Sequence, residues 1–227
     1  MIVMKSFLLC VLFLISTDAF GQHDGTKYPD FFGLTLAEVV DHEGWRVIEK
    51  ATGYLSSGQV EATVVVLQSG SHEFVSCSES AELLQNEERI ILVLISQEGE
   101  PRVTIQNNEF IVRPNEGGMM CYIEPKLSIE NNQLNILYQY TRSNRQYTFE
   151  YSNGEMILVS AKSVGVSGGR FYSSFYDFRR KVIESEEGSI GSDSSTQETI
   201  PIEFDGFKTL SEFGEMNEWE VAEYKLL

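Results

Sequence analysis

Residues 165–169, GVSGG, have the G-x-S-x-G spacing of a serine-hydrolase nucleophile elbow. That motif works only on a strand-to-helix turn, with an acid and then a histidine downstream of the serine. Here Ser167 is followed by GGRFYSSFYDF, a β-like aromatic run, and the three histidines, His23, His42 and His72, all precede it. The stretch is expected to be a Gly-rich hairpin turn. A cysteine nucleophile would need a histidine in reach. His72 lies five residues before Cys77, but the intervening SHEFVSC offers only Glu73 as an orienting acid, so Cys77 is expected to be structural. The chain has no CxxC, HxH or HExxH pattern, no P-loop and no GxGxxG, so no catalytic residue, metal ligand or cofactor is assigned.

Carboxylates and aromatics are the remaining candidates. Glycoside chemistry needs a pair of carboxylates, and with 34 Asp and Glu in the chain some pair will always lie close, so spacing cannot select one. Glu116 stands out because Gly117 and Gly118 beside it would allow close backbone approach; a simple turn is the alternative. In FYSSFYDF, Phe171, Tyr172, Phe175, Tyr176 and Phe178 supply aromatics to both faces of a strand. Such a strand either closes a core on both sides or leaves one aromatic row as a binding surface. The candidate surface is therefore Glu116, Phe171, Tyr172, Phe175 and Tyr176.

The elements that must position these residues read as strands. Leu134, Ile136, Tyr138 and Tyr140 alternate with polar residues, as do Tyr147, Phe149 and Tyr151, and the polar TRSN between them predicts a hairpin of 133–141 with 145–151. Similar runs lie at 62–68, 88–96, 102–106, 109–113, 126–131, 155–163, 169–177, 179–184 and 199–204. The short gaps favour antiparallel meanders, because parallel pairs need long crossovers. Two helical signals, TLAEVVDHEGW with Thr35 as cap and SAELLQNEE near 80–88, make the class α+β, mainly β, with antiparallel meander sheets and one or two short helices. ESEEGSIGSDSSTQE, 184–198, has no periodicity and is expected to be a mobile acidic loop. The segment from Phe207 to Leu227 fits a short helix or a docking tail equally well.

The chain opens with one lysine, an apolar run from Phe7 to Ile15, and small residues at Ala19 and Gly21, the pattern of a signal peptide cleaved before Gln22. That run is too short to span a bilayer. The expectation is an exported protein, periplasmic or extracellular, with residues 22–227 forming one β-rich domain. In an oxidising compartment Cys77 and Cys121 can bridge; two separate buried thiols are the alternative. The formal net charge is −17. A surface this negative repels phosphate backbones and anionic lipid heads, so nucleic acid is excluded as a partner class while cationic partners stay open.

Several segments together resemble a family of uncharacterised bacterial exported proteins of Bacteroidetes and Firmicutes. They are Gly44-Trp45, GYLSSGQVEATVVVL at 53–67, Glu116-Gly117-Gly118, IENNQLNILYQYTRSNRQYTFEYSNGEMILV at 129–159 and RKVIESE from Arg179. In that family the second segment has the form G-D-L-N-x-D-G-x-x-D, the outline of a calcium loop. Laid on it, this chain keeps Gly53 and Leu55, while the acidic positions fall on Tyr54, Gly58 and Ala62, the Asn position on Ser56, and only Glu61 bears a carboxylate. Calcium needs six to eight oxygens, several of them charged. Gly53, Ser56, Ser57 and Glu61 therefore read as a degenerate, non-binding loop kept for its shape.

The function expected from these features is a non-enzymatic binding or interaction protein of the envelope or exterior, whose partner is an unidentified protein or envelope component. An exported hydrolase of unrecognised type is the alternative, and an inhibitor or immunity-like protein for a basic target a weaker one.

Overall fold

The computed structural model describes residues 28–56, 60–70, 87–96, 99–120, 122–192, 194–223 and 225–227. The leader segment, His23, His72, Ser57, both Cys77 and Cys121, and residues 80–86 of the second expected helix lie outside the described residues. The fold is mainly β, built from two antiparallel meander sheets with one short helix and a 3-10 turn. Among the described residues no helix is long and apolar enough to cross a membrane.

The first sheet runs in order β1 (Trp45–Leu55), β2 (Val60–Ser69), β3 (Arg89–Ile95), β4 (Arg102–Asn107). All seven residues of β3, RIILVLI, are buried. A strand without polar alternation must be covered on both faces, and β3 is. Ile91, Val93 and Ile95 face the main core shared with the second sheet, while Ile90, Leu92 and Leu94 face a smaller cluster with Phe31 and Val39. Val39 belongs to the helix α1 (Leu36–Val40), where the Thr35 hydroxyl accepts from the Glu38 N–H and the Glu38 carboxylate accepts from the Thr35 N–H at 2.7 Å. A helix of five residues has too few hydrogen bonds to stand alone, so this capping box and the Val39 contact hold it.

The second sheet runs β11-β10-β9-β8-β7-β6-β5, with β5 at Pro125–Glu130, β6 at Gln133–Gln139, β7 at Ser143–Ser152, β8 at Glu155–Ser167, β9 at Arg170–Asp177, β10 at Val182–Ser189 and β11 at Ser195–Pro201. Three of its hairpins close on two residues with positive φ: Asn131-Asn132, Asn153-Gly154 and Gly168-Gly169. This is the turn chemistry that matches strand twist. The alternating residues Leu134, Ile136, Tyr138, Tyr147 and Phe149 all enter the core. The segment after β11 lies back over that core through Leu210, Phe213, Val221 and Leu227, and Trp219 stacks on Phe178 with ring centroids 5.3 Å apart. It contains the 3-10 turn Leu210–Glu212 and a small ribbon of β12 (Glu220–Ala222) and β13 (Lys225–Leu226), so it is a docked tail rather than a helix.

Three expectations are corrected. Residues 109–113 are not a strand: the Asn107 side chain accepts from the Glu109 and Phe110 N–H groups at 2.9 and 2.7 Å and turns the chain, and Phe110, Ile111 and Val112 are apolar because they fill the core. Residues 45–55, none of which was expected to be a strand, form β1; a bulge between Val47 and Glu49 breaks the alternation that would have revealed it. The stretch 184–198 is not one loop but most of the β10–β11 hairpin, paired from Val182↔Pro201 to Gly188↔Ser195.

Candidate functional site

Of the degenerate calcium-loop residues, Gly53, Ser56 and Glu61 fall on the β1–β2 hairpin. Gly53 pairs with Ala62, Glu61 with Tyr54, and Ser56 starts the turn with φ 64°. Gly53 has a packing role: a Cβ there would stand 2.8 Å from Ile129 Cγ2 and 2.9 Å from Ile129 Cβ, so its bare backbone lets β1 lie against β5. Ser167 sits at the end of β8 beside the Gly168-Gly169 turn. His42, the one described histidine, packs its ring against Phe31 in the other layer, at 4.9 Å. Among the described residues, Ser167 and the one histidine thus belong to different sheets' surroundings. Among the described residues no three His, Cys, Asp or Glu side chains converge to hold a metal ion.

Glu116 lies at the rim of a cavity of about 180 Å³ that contains several charged groups. Its carboxylate accepts from the Arg113 backbone N–H at 2.9 Å and from the guanidinium at 3.2 Å. The same Arg113 binds Glu88 at 3.0 Å and Glu215 at 3.7 Å. The Glu88 hydrogen bond raises the Arg113 pKa, opposed by burial and aided by the charges of Glu88 and Glu116. The Tyr28 hydroxyl donates to Glu88 at 2.7 Å, and burial followed by that hydrogen bond pushes its pKa up to about 12. Behind them Arg89, 1% exposed, donates to Gln68 Oε1 at 2.8 Å, to the Val112 carbonyl at 2.9 Å and to the Ile123 carbonyl at 2.6 Å. Burial lowers its pKa, with Tyr122 opposing. These groups tie the N-terminal segment, β3, the 108–123 connection and the C-terminal tail into one polar lock. Glu116 is a turn-closing partner of Arg113 rather than a free acid.

The aromatic strand divides between two environments. Tyr176, 4% exposed, and Phe178 are in the core, which corrects Tyr176 as a surface residue. Tyr172 is exposed, and Phe171 and Phe175 are half-buried on the opposite face. Two of these rings complete glycines on neighbouring strands. Tyr172 lies over Gly165, its cross-strand partner, and a Cβ on Gly188 would meet Phe171 Cε1 at 2.6 Å. Aromatic cover of a strand glycine replaces the side-chain packing that glycine lacks.

Beyond the row Ala161, Tyr176, Ile183 the core stops, and the next row inward is polar, Ser163, Ser174 and Ser185. From Ala161 to Ser167 the sheet continues for six residues, about 20 Å. At its margin β11 is exposed at six of seven positions and pairs only with β10. Edges β4 and β5 are contacted by other segments. The Gly33 N–H bonds the Val103 carbonyl of β4 at 2.9 Å, with the Leu34 carbonyl returning the bond to the Val103 N–H. On β5, the Leu127 N–H donates to Glu49 of β1 at 3.1 Å. Among the described residues the outer backbone groups of β11 have no partner. Glu184 and Glu186 lie on one face of this margin, Glu187 and Glu198 on the other. Arg180 holds Glu184 at 2.7 Å and Arg170 holds Glu187 at 2.7 Å, while Glu186 and Glu198 have no ion pair among the described residues.

No family model, curated protein or solved structure is similar to this chain.

Proposed function

We propose that this is an exported, non-catalytic binding protein that holds an extended, basic segment of a partner protein along the free edge of β11. The observation that supports it is the edge itself: seven residues, unbulged, exposed on both faces and flanked by four glutamates. A strand edge presents unpaired N–H and C=O groups that template another strand, and proteins usually blunt it with lysines, bulges or cover. STQETIP carries none of these before Pro201. Main-chain hydrogen bonds would supply affinity, and alternate side chains would meet acids on either face, which selects Lys and Arg in the guest. A second copy of the chain would set glutamates against glutamates, so like charge disfavours self-pairing. Export rests on the leader-like start, Met1–Gly21, and on the resemblance to exported proteins.

The test is an anisotropy titration with labelled peptides alternating Lys with Thr and controls alternating Glu with Thr. The basic peptide should bind saturably and weaken with added salt, because surface charges are screened. Equal binding of both peptides, or of neither, would refute the proposal. Thr196→Pro and Gln197→Pro separate edge from fold, since neighbouring N–H groups in a strand point to opposite sides. One variant should lose peptide binding with little loss of thermal stability, and the other should destabilise the β10–β11 pairing.

A further inference from the structure

A second cavity, of about 330 Å³, opens where the docked tail ends against the core side of the second sheet. Its charge is opposite to that of the whole molecule. Arg145 and Lys225 line it with Tyr147, Tyr176 and Ser163, and no Asp or Glu contributes to its wall. Neither cation forms an ion pair with a described residue, although acids outnumber bases two to one in the chain, 34 to 17. Arg145 instead donates to the Asn217 side chain, a neutral partner. Tyr147 is 1% exposed, and its hydroxyl is buried with no hydrogen-bond partner among the described residues.

Buried hydroxyls are nearly always hydrogen-bonded, so an unpaired one at a cavity wall indicates a missing acceptor. Burial, opposed by Arg145, pushes the Tyr147 pKa up to about 12, which keeps the hydroxyl a donor at neutral pH. Two unneutralised cations and a phenolic donor around one space match a negatively charged acceptor. The volume lies at the small end of the range for small-molecule sites. We propose that this cavity binds the oxyanion head of a small organic acid, a carboxylate or a phosphate ester, held by Arg145 and Lys225 and hydrogen-bonded by the Tyr147 O–H.

Calorimetric titration of the full chain with inorganic phosphate and, separately, with glucuronate tests this. One or both should bind saturably at one site per chain; phosphate alone points to a phosphate ester, glucuronate alone to a carboxylate. Lys225→Ala and Tyr147→Phe should each weaken that binding about tenfold, the loss expected for one hydrogen bond to a charged group. Tyr147→Phe should also raise the melting temperature of the unliganded protein, because it removes a buried hydroxyl without a partner, so lost binding cannot be blamed on misfolding. Absence of binding by both probes, or binding that survives both substitutions, would overturn the proposal.

Discussion

Gly53→Ala isolates the contact that sets the two sheets against each other. The φ at Gly53 is not positive, so alanine meets no backbone strain there. Its methyl carbon would stand 2.8 Å from Ile129 Cγ2 and 2.9 Å from Ile129 Cβ. Ordinary carbon contacts lie at roughly 3.5–4.0 Å, so β1 and β5 must separate by roughly 0.6–1 Å. Overpacking of this kind costs about 1–3 kcal/mol. Loss of glycine's freedom in the unfolded chain offsets roughly 0.4–1 kcal/mol of that, leaving a net destabilisation of about 0–2.6 kcal/mol. Ile129→Ala removes the Cγ2 contact but keeps the Cβ contact, so the double variant should be rescued only in part, with a coupling energy of about 0.5–1 kcal/mol. Urea unfolding of the four proteins at neutral pH measures this, with an unchanged m-value as the check that the unfolded state is comparable. A stabilising Gly53→Ala would mean that β1 does not lie against β5.

Arg89→Met removes the donor to Gln68, Val112 and Ile123 and leaves two buried carbonyls unpaired, so urea unfolding should show a loss of about 3 kcal/mol or more, with Arg89→Lys intermediate because it lacks the planar fork. Glu38 is held below its ordinary value of 4.5, chiefly by the Thr35 N–H and then by its hydroxyl. A carboxylate more acidic folded than unfolded contributes stability above the unfolded value and loses it as pH falls through the folded one. Wild type should therefore exceed Glu38→Gln in melting temperature at neutral pH, and the two should converge in acid below 4.5. Tyr172→Ala uncovers Gly165 and should cost about 0.5–1 kcal/mol by the scale of cross-strand pairs, read as a shift in urea midpoint.

The legible parts of the fold were those where burial imposes a period. Leu134, Ile136 and Tyr138 alternate because β6 has one wet face, and Thr35 with Glu38 announced its helix because a capping box is local chemistry. The β10–β11 hairpin was hidden because strands exposed on both faces need no apolar alternation; Glu184, Ser185, Glu186 and Glu187 carry none. β1 was hidden by its bulge, and 109–113 misled because apolar residues filling a core from a turn look like a strand. Of the candidate surface, Tyr172 is exposed and Phe171 and Phe175 are half-buried, whereas Tyr176 entered the core because its register partners are Ala161 and Ile183. One signal for the edge was available: Gly165 and Gly188 match aromatic partners across a long ladder, which marks a continuing sheet rather than a loop.

The most direct test of the central claim is amide hydrogen exchange across β11 with and without the Lys-Thr peptide. Free, the outward amides between Ser195 and Thr199 should exchange fast while those paired to β10 are protected. With peptide bound, the outward set should gain protection in an alternating pattern, and the amides of β5 and β4 should not change. Peptide binding that leaves the β11 amides unprotected, or protects another surface instead, would contradict the account.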